Sequence, residues 1–440
     1  MRRTLALLAA VLLLIPVPAR GAAPRASLSA LDLIALEIGY TTVMARYYRP
    51  VDPLVLVDGA RRGIVAYLRK QGVANPALPA LPPHTDRYAA ENAIARDVAL
   101  AVARYPSRVQ TAALVNATLD GELAALHDPY TVLFRAAAYK KFVAFLDGTA
   151  NAGIGAELDV DPQTHAVRVV DVFPGSPAEA AGVRRGDTIA SIDGGAPAGS
   201  PSDVLAALRG KAGTAVRLVL VRDGVQRDPL SIVRQTIVAP DVTGYALPGG
   251  IGYVRLRSFG ARSAQQLDGV LATLHAPDVH AYVLDLRANG GGYRDDAVAI
   301  ASHFVRGTVV TTQERTGAPS VFTAKSATPL LHAPLAVLID ADTASASEIV
   351  AGAIQDNRAG TLVGAKTFGK GLVQETFALP DGGAIKMTTA RYRTPAGRDI
   401  EGVGITPDVV VPEPAGAHPG EPGHDPQLDR ALALLAASSS

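Results

Sequence analysis

Cysteine is absent from the 440 residues. That removes disulfides, thiolate nucleophiles, Cys-type zinc sites and a lipid-modified cysteine behind an export signal in one step. An excess of either charge is also missing. With 42 Lys+Arg against 41 Asp+Glu, no global field exists to hold phosphate backbones or an anionic membrane surface, and nucleic acid is not an expected partner. None of the nine histidines sits in a glycine-rich catalytic turn, and G-x-S-x-G does not occur, so an ordinary hydrolase triad lacks support. No cluster of metal ligands is visible, and neither a metal nor another cofactor is expected.

What is present reads as globular. Hydrophobic residues make up 48% and charged residues 19%, which argues against extensive disorder. The length allows two to four units at roughly 100–200 residues each. The start, Met1-Arg2-Arg3, leads into an apolar run over 5–17, then Pro18 and the small residues Ala19, Gly21, Ala22 and Ala23. This is the pattern of a secretory signal peptide over 1–23. The alternative is an uncleaved membrane anchor, although the run falls short of the roughly 20 residues a span needs, and no second apolar stretch approaches that length. Export to the periplasm or the cell exterior is the expectation.

Residues 24–148 carry apolar positions at helical spacing and predict a helical region, with a Pro- and Ala-rich loop near 74–84. From 149 to 238 the pattern changes to short β-branched runs, with strands predicted at 156–160, 166–172, 188–192 and 215–221 and a hairpin at Asp223-Gly224. Ser200-Pro201-Ser202-Asp203 predicts a helix start, with the helix running to about Arg209. From 239 to 412 strands at 252–256, 281–286 and 335–339 alternate with helices near 263–274 and 294–305, which implies an α/β unit with crossover connections. A tail over 413–440 ends in a short helix near 427–436.

Three motifs carry chemistry. Asp342-Thr343-Ala344-Ser345-Ala346-Ser347-Glu348 follows a strand and places Ser345 at a helix start, where unpaired N–H groups stabilise negative charge. The same residues also fit a simple capping box. A serine nucleophile requires a base, and without a suitable histidine a Ser–Lys pair is the remaining known solution. Lys370 lies in the tight turn Gly369-Lys370-Gly371, and as a base near neutral pH it needs its titration lowered by about three units, which burial without a carboxylate partner can supply. Asp285-Leu286-Arg287-Ala288-Asn289-Gly290-Gly291-Gly292 runs a strand into bare N–H groups that can point at an oxyanion. It fails as a phosphate loop, because no Lys-Ser or Lys-Thr follows.

Together and in this order, from Asp128-Pro129-Tyr130 to Gly402-Val403-Gly404-Ile405-Thr406-Pro407-Asp408, the motifs resemble the carboxyl-terminal processing, or tail-specific, serine peptidases. By that resemblance Ser345 is the nucleophile, Lys370 its base and Gln374 the residue that orients the lysine. The N–H groups of Gly291 and Ala346 form the oxyanion hole, and Asp356 lies where some members have an assisting acid. The resemblance implies an α+β multidomain chain: a helical N-terminal region, a PDZ-like domain and an α/β catalytic core of crotonase-like (ClpP/crotonase) type. This chain has Gly290 where the family usually has Pro, and extra sequence around 72–113.

Gly153-Ile154-Gly155-Ala156 and 173–187 resemble PDZ domains of bacterial proteases. Such a domain adds a peptide to a sheet edge and captures its terminal carboxylate on backbone N–H groups. Gly153 and Gly155 would expose amides, Ile154 would line an apolar pocket, and the helix over 202–208 would be the other wall. The expected partners are proteins or peptides with flexible carboxyl termini, while a homo-oligomer and an adaptor stay open. A catalytically silent PDZ scaffold and a small-molecule esterase are the competing readings. The scaffold has no need for Ser345, Lys370 and Gln374 together, and the esterase has no need for a peptide groove.

Overall fold

The computed structural model describes residues 27–81, 86–146, 150–161, 164–198, 200–274, 278–325, 333–412 and 420–438. The export signal expected over 1–23 lies outside them. Among the described residues no helix is long and apolar enough to cross a membrane. The chain divides into two compact units, one of residues 1–136 and 375–387, the other of residues 137–374 and 388–440.

The first unit is built on helices α1 (Ala30–Arg46), α2 (Pro53–Lys70), α3 (Arg87–Arg104) and α4 (Thr111–Ala124). Ser29, Asp52 and Asp86 cap the first three, each accepting a backbone N–H of the first turn, which satisfies donors that the helix itself cannot. Small residues let α2 and α4 touch backbone to backbone: a Cβ at Gly59 would lie 2.4 Å from the Gly121 carbonyl oxygen, and one at Gly63 2.0 Å from that of Ala117. The unit's core gathers Tyr40, Leu56, Ile64, Ile94, Leu114 and Leu119 with Leu379, Ile385 and Met387. Strand β1 (Val132–Phe134) pairs antiparallel with residues 384–386.

The second unit opens with α5 (Ala136–Leu146) and β2 (Ala150–Gly153). A β-rich segment follows: β3 (Ala156–Val160), β4 (Val167–Val172), the short α6 (Pro177–Ala180), β5 (Thr188–Ile192), α7 (Pro201–Leu208), β6 (Ala215–Arg222), β7 (Val225–Gln226), β8 (Leu230–Val233) and β9 (Gln235–Val238). The antiparallel order is β3-β4-β5-β6-β7, with β8 on β6 and β2 on β9. Asp223 (φ 51°) and Gly224 (φ 74°) make the β6–β7 hairpin, as the right-handed twist of the strands favours.

Six of the remaining strands form a sheet in the order β10-β11-β12-β15-β16-β19, and β13, β14, β17 and β18 belong to a separate sheet. The strands in chain order are β10 (Val242–Leu247), β11 (Ile251–Leu256), β12 (Ala281–Asp285), the hairpin β13 (Thr308–Glu314) and β14 (Ser320–Thr323), β15 (Leu335–Ile339), β16 (Thr361–Gly364), β17 (Leu372–Ala378), β18 (Ala384–Arg393) and β19 (Val409–Val410). Helices α8 (Ser263–Leu274), α9 (Arg294–Ala301), α10 (Ala346–Asp356) and α11 (Pro426–Ser438) accompany them. From β11 to β19 every sheet neighbour is parallel. β12 and β15 are buried at every position, as expected where helices cover both faces of a parallel sheet. Ile300, Val337 and Ile354 fill one face, and Val283, Leu338 and Leu428 the other.

Candidate active site

Sheet order decides which loops meet. β12, β15 and β16 are parallel neighbours with β15 in the middle, so the segments after them leave one edge side by side. These are the glycine turn 286–292, the serine turn 340–345 and the lysine turn 365–371. The carboxyl edge of parallel strands is where α/β sheets collect ligands.

The first two turns are bonded into one body. Asp340 accepts the N–H of Thr343 at 2.8 Å and, through its other oxygen, the N–H of Ala288 at 2.8 Å. The Thr343 hydroxyl donates to the Leu286 carbonyl at 3.0 Å. The Asn289 carbonyl accepts the Ala344 N–H at 3.0 Å and the Ser347 hydroxyl at 2.8 Å, while the Asn289 amide, fully buried, donates to the Leu256 carbonyl at 2.8 Å.

Ser345 is the residue that caps α10, at φ 59° and ψ −115°. L-residues rarely adopt that conformation, and such strain of about 1–3 kcal/mol persists only where the surroundings over-determine it. Here the Tyr392 hydroxyl donates to the Ser345 carbonyl at 3.0 Å. Burial, joined by the nearby Glu348 and Glu401 carboxylates, pushes the Tyr392 phenol well above its ordinary titration range, so it stays a neutral donor. Gly291 (φ 98°) packs against this residue: a Cβ there would stand 2.9 Å from the Ser345 Cβ and 2.8 Å from the Ala346 nitrogen. Only glycine permits that approach. The Gly291 N–H donates to the Asn289 side-chain oxygen at 2.9 Å, so an oxyanion at this position would compete with Asn289 for the donor.

The lysine turn is tied to the serine through a residue that sequence reasoning assigned only to helix capping. Glu348 is fully buried. Its Oε2 accepts the N–H of Ser345 at 2.8 Å and of Lys370 at 2.9 Å, and its Oε1 accepts the Thr367 hydroxyl at 2.6 Å and the Gly369 N–H at 2.8 Å. Four donors saturate the carboxylate. The turn is held from its other side as well, with Gly371 N–H on Glu401 at 2.7 Å and Gly402 N–H on the Gly369 carbonyl at 2.8 Å. Gln374 lies half-buried in β17, its amide donating to the Leu372 carbonyl at 3.2 Å. Asp356 ends α10, where its carboxylate takes the Ala396 N–H at 2.8 Å and pairs with Arg398, an anchor for the 394–398 turn.

In the β-rich segment, Ile154 is 4% exposed and shares a core with Val204 and Leu208 of α7. Its side chain is therefore part of the segment's core. The Ile154 carbonyl accepts the Ala178 N–H at 2.8 Å, and that of Gly155 accepts Phe173 at 2.9 Å. The segment is docked on the sheet by ions. Arg257 reaches Glu157 at 2.7 Å and Asp171 at 2.9 Å, and the Thr243 hydroxyl donates to Asp171 at 2.6 Å. Arg185 pairs with Asp171 at 3.0 Å and stacks 3.3 Å from the Tyr245 ring. Among the described residues no group of three or more acidic or histidine side chains could hold a metal ion.

The chain is similar to known proteins in sequence and in fold. The profile of peptidase family S41 matches residues 250–411, and that of the PDZ domain matches 168–222. A carboxyl-terminal-processing protease of Picosynechococcus sp. is 40% identical over 324 residues, covering 71% of this chain and 77% of that protein. A carboxy-terminal-processing protease of Bartonella bacilliformis is 36% identical over 309 residues, covering 68% and 70%. A crystal structure of a Bacteroides fragilis protein assigned to the S41 proteases covers 74% of this chain and 90% of its own at 18% identity and a TM-score of 0.56, a likeness of fold.

Proposed function

The chain belongs to the carboxyl-terminal-processing serine proteases of peptidase family S41, and we propose that it cleaves exported proteins near their carboxyl termini with Ser345 as nucleophile and Lys370 as base. The observation that carries this reading is the Glu348 carboxylate, which gathers the backbones of Ser345 and Lys370 on one oxygen.

In the proposed reaction the neutral Lys370 amine takes the Ser345 hydroxyl proton as the oxygen attacks the scissile carbonyl carbon. Negative charge then develops on the carbonyl oxygen beside the first turn of α10, where the Ala346 N–H and the glycine turn can receive it. The lysine returns its proton to the departing amine, and water hydrolyses the acyl-enzyme by the same path in reverse. Gln374 is assigned to orienting the lysine. Asp356 is assigned to the 394–398 anchor, since its oxygens are engaged there. The parallel run β11-β12-β15-β16 with α10 behind the serine turn supports a crotonase-like core. The glycines at 153 and 155 are assigned to cradling the substrate carboxylate, and the charged, apolar and small-residue order of 1–23 supports export.

The test is digestion of a disordered protein with an apolar carboxyl terminus, with fragments read by mass spectrometry. Fragments cut near that terminus are expected from the wild type, and none from Ser345→Ala or Lys370→Ala. Either variant retaining activity within about tenfold of wild type would reject the assignment. Hydrolysis confined to small esters would favour the esterase.

A further inference from the structure

The turn that brings Gly291 to Ser345 starts at Arg287, and Arg287 is held from two directions. Its guanidinium, in a residue 5% exposed, donates to Asp285 at 3.0 Å and 2.6 Å. It also donates to both oxygens of Asp425, at 2.9 Å and 2.7 Å, and to the Gln427 side-chain oxygen at 3.1 Å. Asp425 is 1% exposed and Gln427 fully buried. Asp425 is itself fixed at the entrance to α11, its oxygens accepting the N–H groups of Leu428 at 3.0 Å and Gly420 at 2.8 Å. Asp285 further accepts the Tyr253 hydroxyl at 2.6 Å. Burial would raise the Asp285 carboxyl, but the charges of Arg287 and Arg255 and its hydrogen bonds outweigh that and bring it down to about 2. Asp285 is therefore ionised beside Arg287.

Asp425 lies beyond residues 250–411, the stretch that the peptidase profile matches. A bidentate pair fixes a guanidinium in both position and plane. Arg287 leads through Ala288, whose N–H is bonded to Asp340, to Asn289, which holds the Gly291 N–H and the Ser347 hydroxyl. We infer that Asp425, supported by Gln427, is a positioning residue for peptide-bond cleavage: the carboxyl-terminal segment sets Arg287, and through it the placement of the glycine turn against Ser345. This rests on the reading that an oxyanion forms between that turn and the start of α10.

The experiment uses the full chain and compares Asp425→Asn and Gln427→Leu with wild type. Four quantities are read: kcat and KM on a peptide substrate, the inhibition constant of a peptide aldehyde whose serine adduct carries the oxyanion, and the folded fraction by thermal melting. The aldehyde separates positioning from mere stability, because it senses the oxyanion site in every folded molecule. Expected for Asp425→Asn is a fall in kcat and a rise in the aldehyde constant, each about tenfold or more, with KM within about threefold. Gln427→Leu should move both in the same direction by less. Wild-type kcat and aldehyde binding in the folded variants would overturn the inference. So would a loss of activity that the folded fraction accounts for entirely. If Asp425→Asn does not fold, Gln427→Leu decides alone. A wild-type enzyme indifferent to the aldehyde would instead remove the underlying serine mechanism.

Discussion

Ser345 and Lys370 donate their backbone N–H groups to the same oxygen atom, Oε2 of Glu348, at 2.8 Å and 2.9 Å. The separation of the two segments is thus set by one buried carboxylate rather than by two independent loops. Glu348→Gln keeps the volume but turns one oxygen into an amide donor facing groups that themselves donate. Losing charge-assisted bonds from a buried site costs about 2–4 kcal/mol, so a lower melting temperature is expected, with kcat reduced at least tenfold in the molecules that remain folded. Thermal melting and peptide kinetics on the same preparation check it, and an unchanged kcat would mean that the shared carboxylate does not govern the pair.

A second prediction concerns the contact between Gly291 and Ser345. In Gly291→Ala the new Cβ would sit 2.9 Å from the Ser345 Cβ and 2.8 Å from the Ala344 oxygen, distances that backbone or nucleophile must yield to. The glycine's φ of 98° adds strain of about 1–3 kcal/mol for an alanine. Peptide cleavage should fall by about a hundredfold or more, the range seen when one oxyanion donor is lost. Binding of a tail peptide to the PDZ domain, followed by fluorescence polarisation, should stay at wild type. Equal loss of both would point to general unfolding instead.

Much of this arrangement was legible beforehand where local pattern decides structure. The predictions at 156–160, 188–192, 263–274 and 335–339 agree with β3, β5, α8 and β15 to the residue, because β-branched runs and amphipathic spacing were bounded there by turn residues. The helix expected over 294–305 stops at Ala301, where the N–H groups of His303 and Phe304 turn back only three residues, to the Ile300 and Ala301 carbonyls, a tightening that periodicity does not register. What could not be read were partners distant in the chain. Glu348 showed only its capping relation to Ser345, while Thr367, Gly369 and Lys370 reach it through the β15–β16 register. Nothing near Arg287 pointed to Asp425.

Recognition of the substrate end gives a third prediction. If the 153–156 stretch captures a carboxylate on backbone N–H groups, amidating the last residue of a peptide substrate removes the charge it binds. KM should rise several-fold while kcat at saturation stays near that of the free acid, because the scissile bond is untouched. Matched free-acid and amidated peptides provide the comparison. Identical KM values would leave the PDZ domain without a role in reading the terminus.

The last prediction concerns the first unit, to which no chemistry is assigned. Glu122 of α4 is fully buried, and neither carboxylate oxygen has a hydrogen-bond partner among the described residues. Burial holds its carboxyl well above the ordinary 4.5, because an unpaired buried charge is costly. The folded state therefore keeps this proton at a pH where the unfolded chain has released it. A proton bound more tightly by the folded state contributes stability that is complete below about 4.5, the unfolded value, and is lost as pH rises through the folded one. Melting of the helical unit should accordingly fall as the pH is raised from 5 to 8. Glu122→Gln, neutral throughout and nearly the same size, should flatten that slope and leave the unit more stable than wild type at pH 8. Melting followed by circular dichroism across this range decides it: parallel slopes for the two proteins would show that Glu122 does not hold its proton in the folded state.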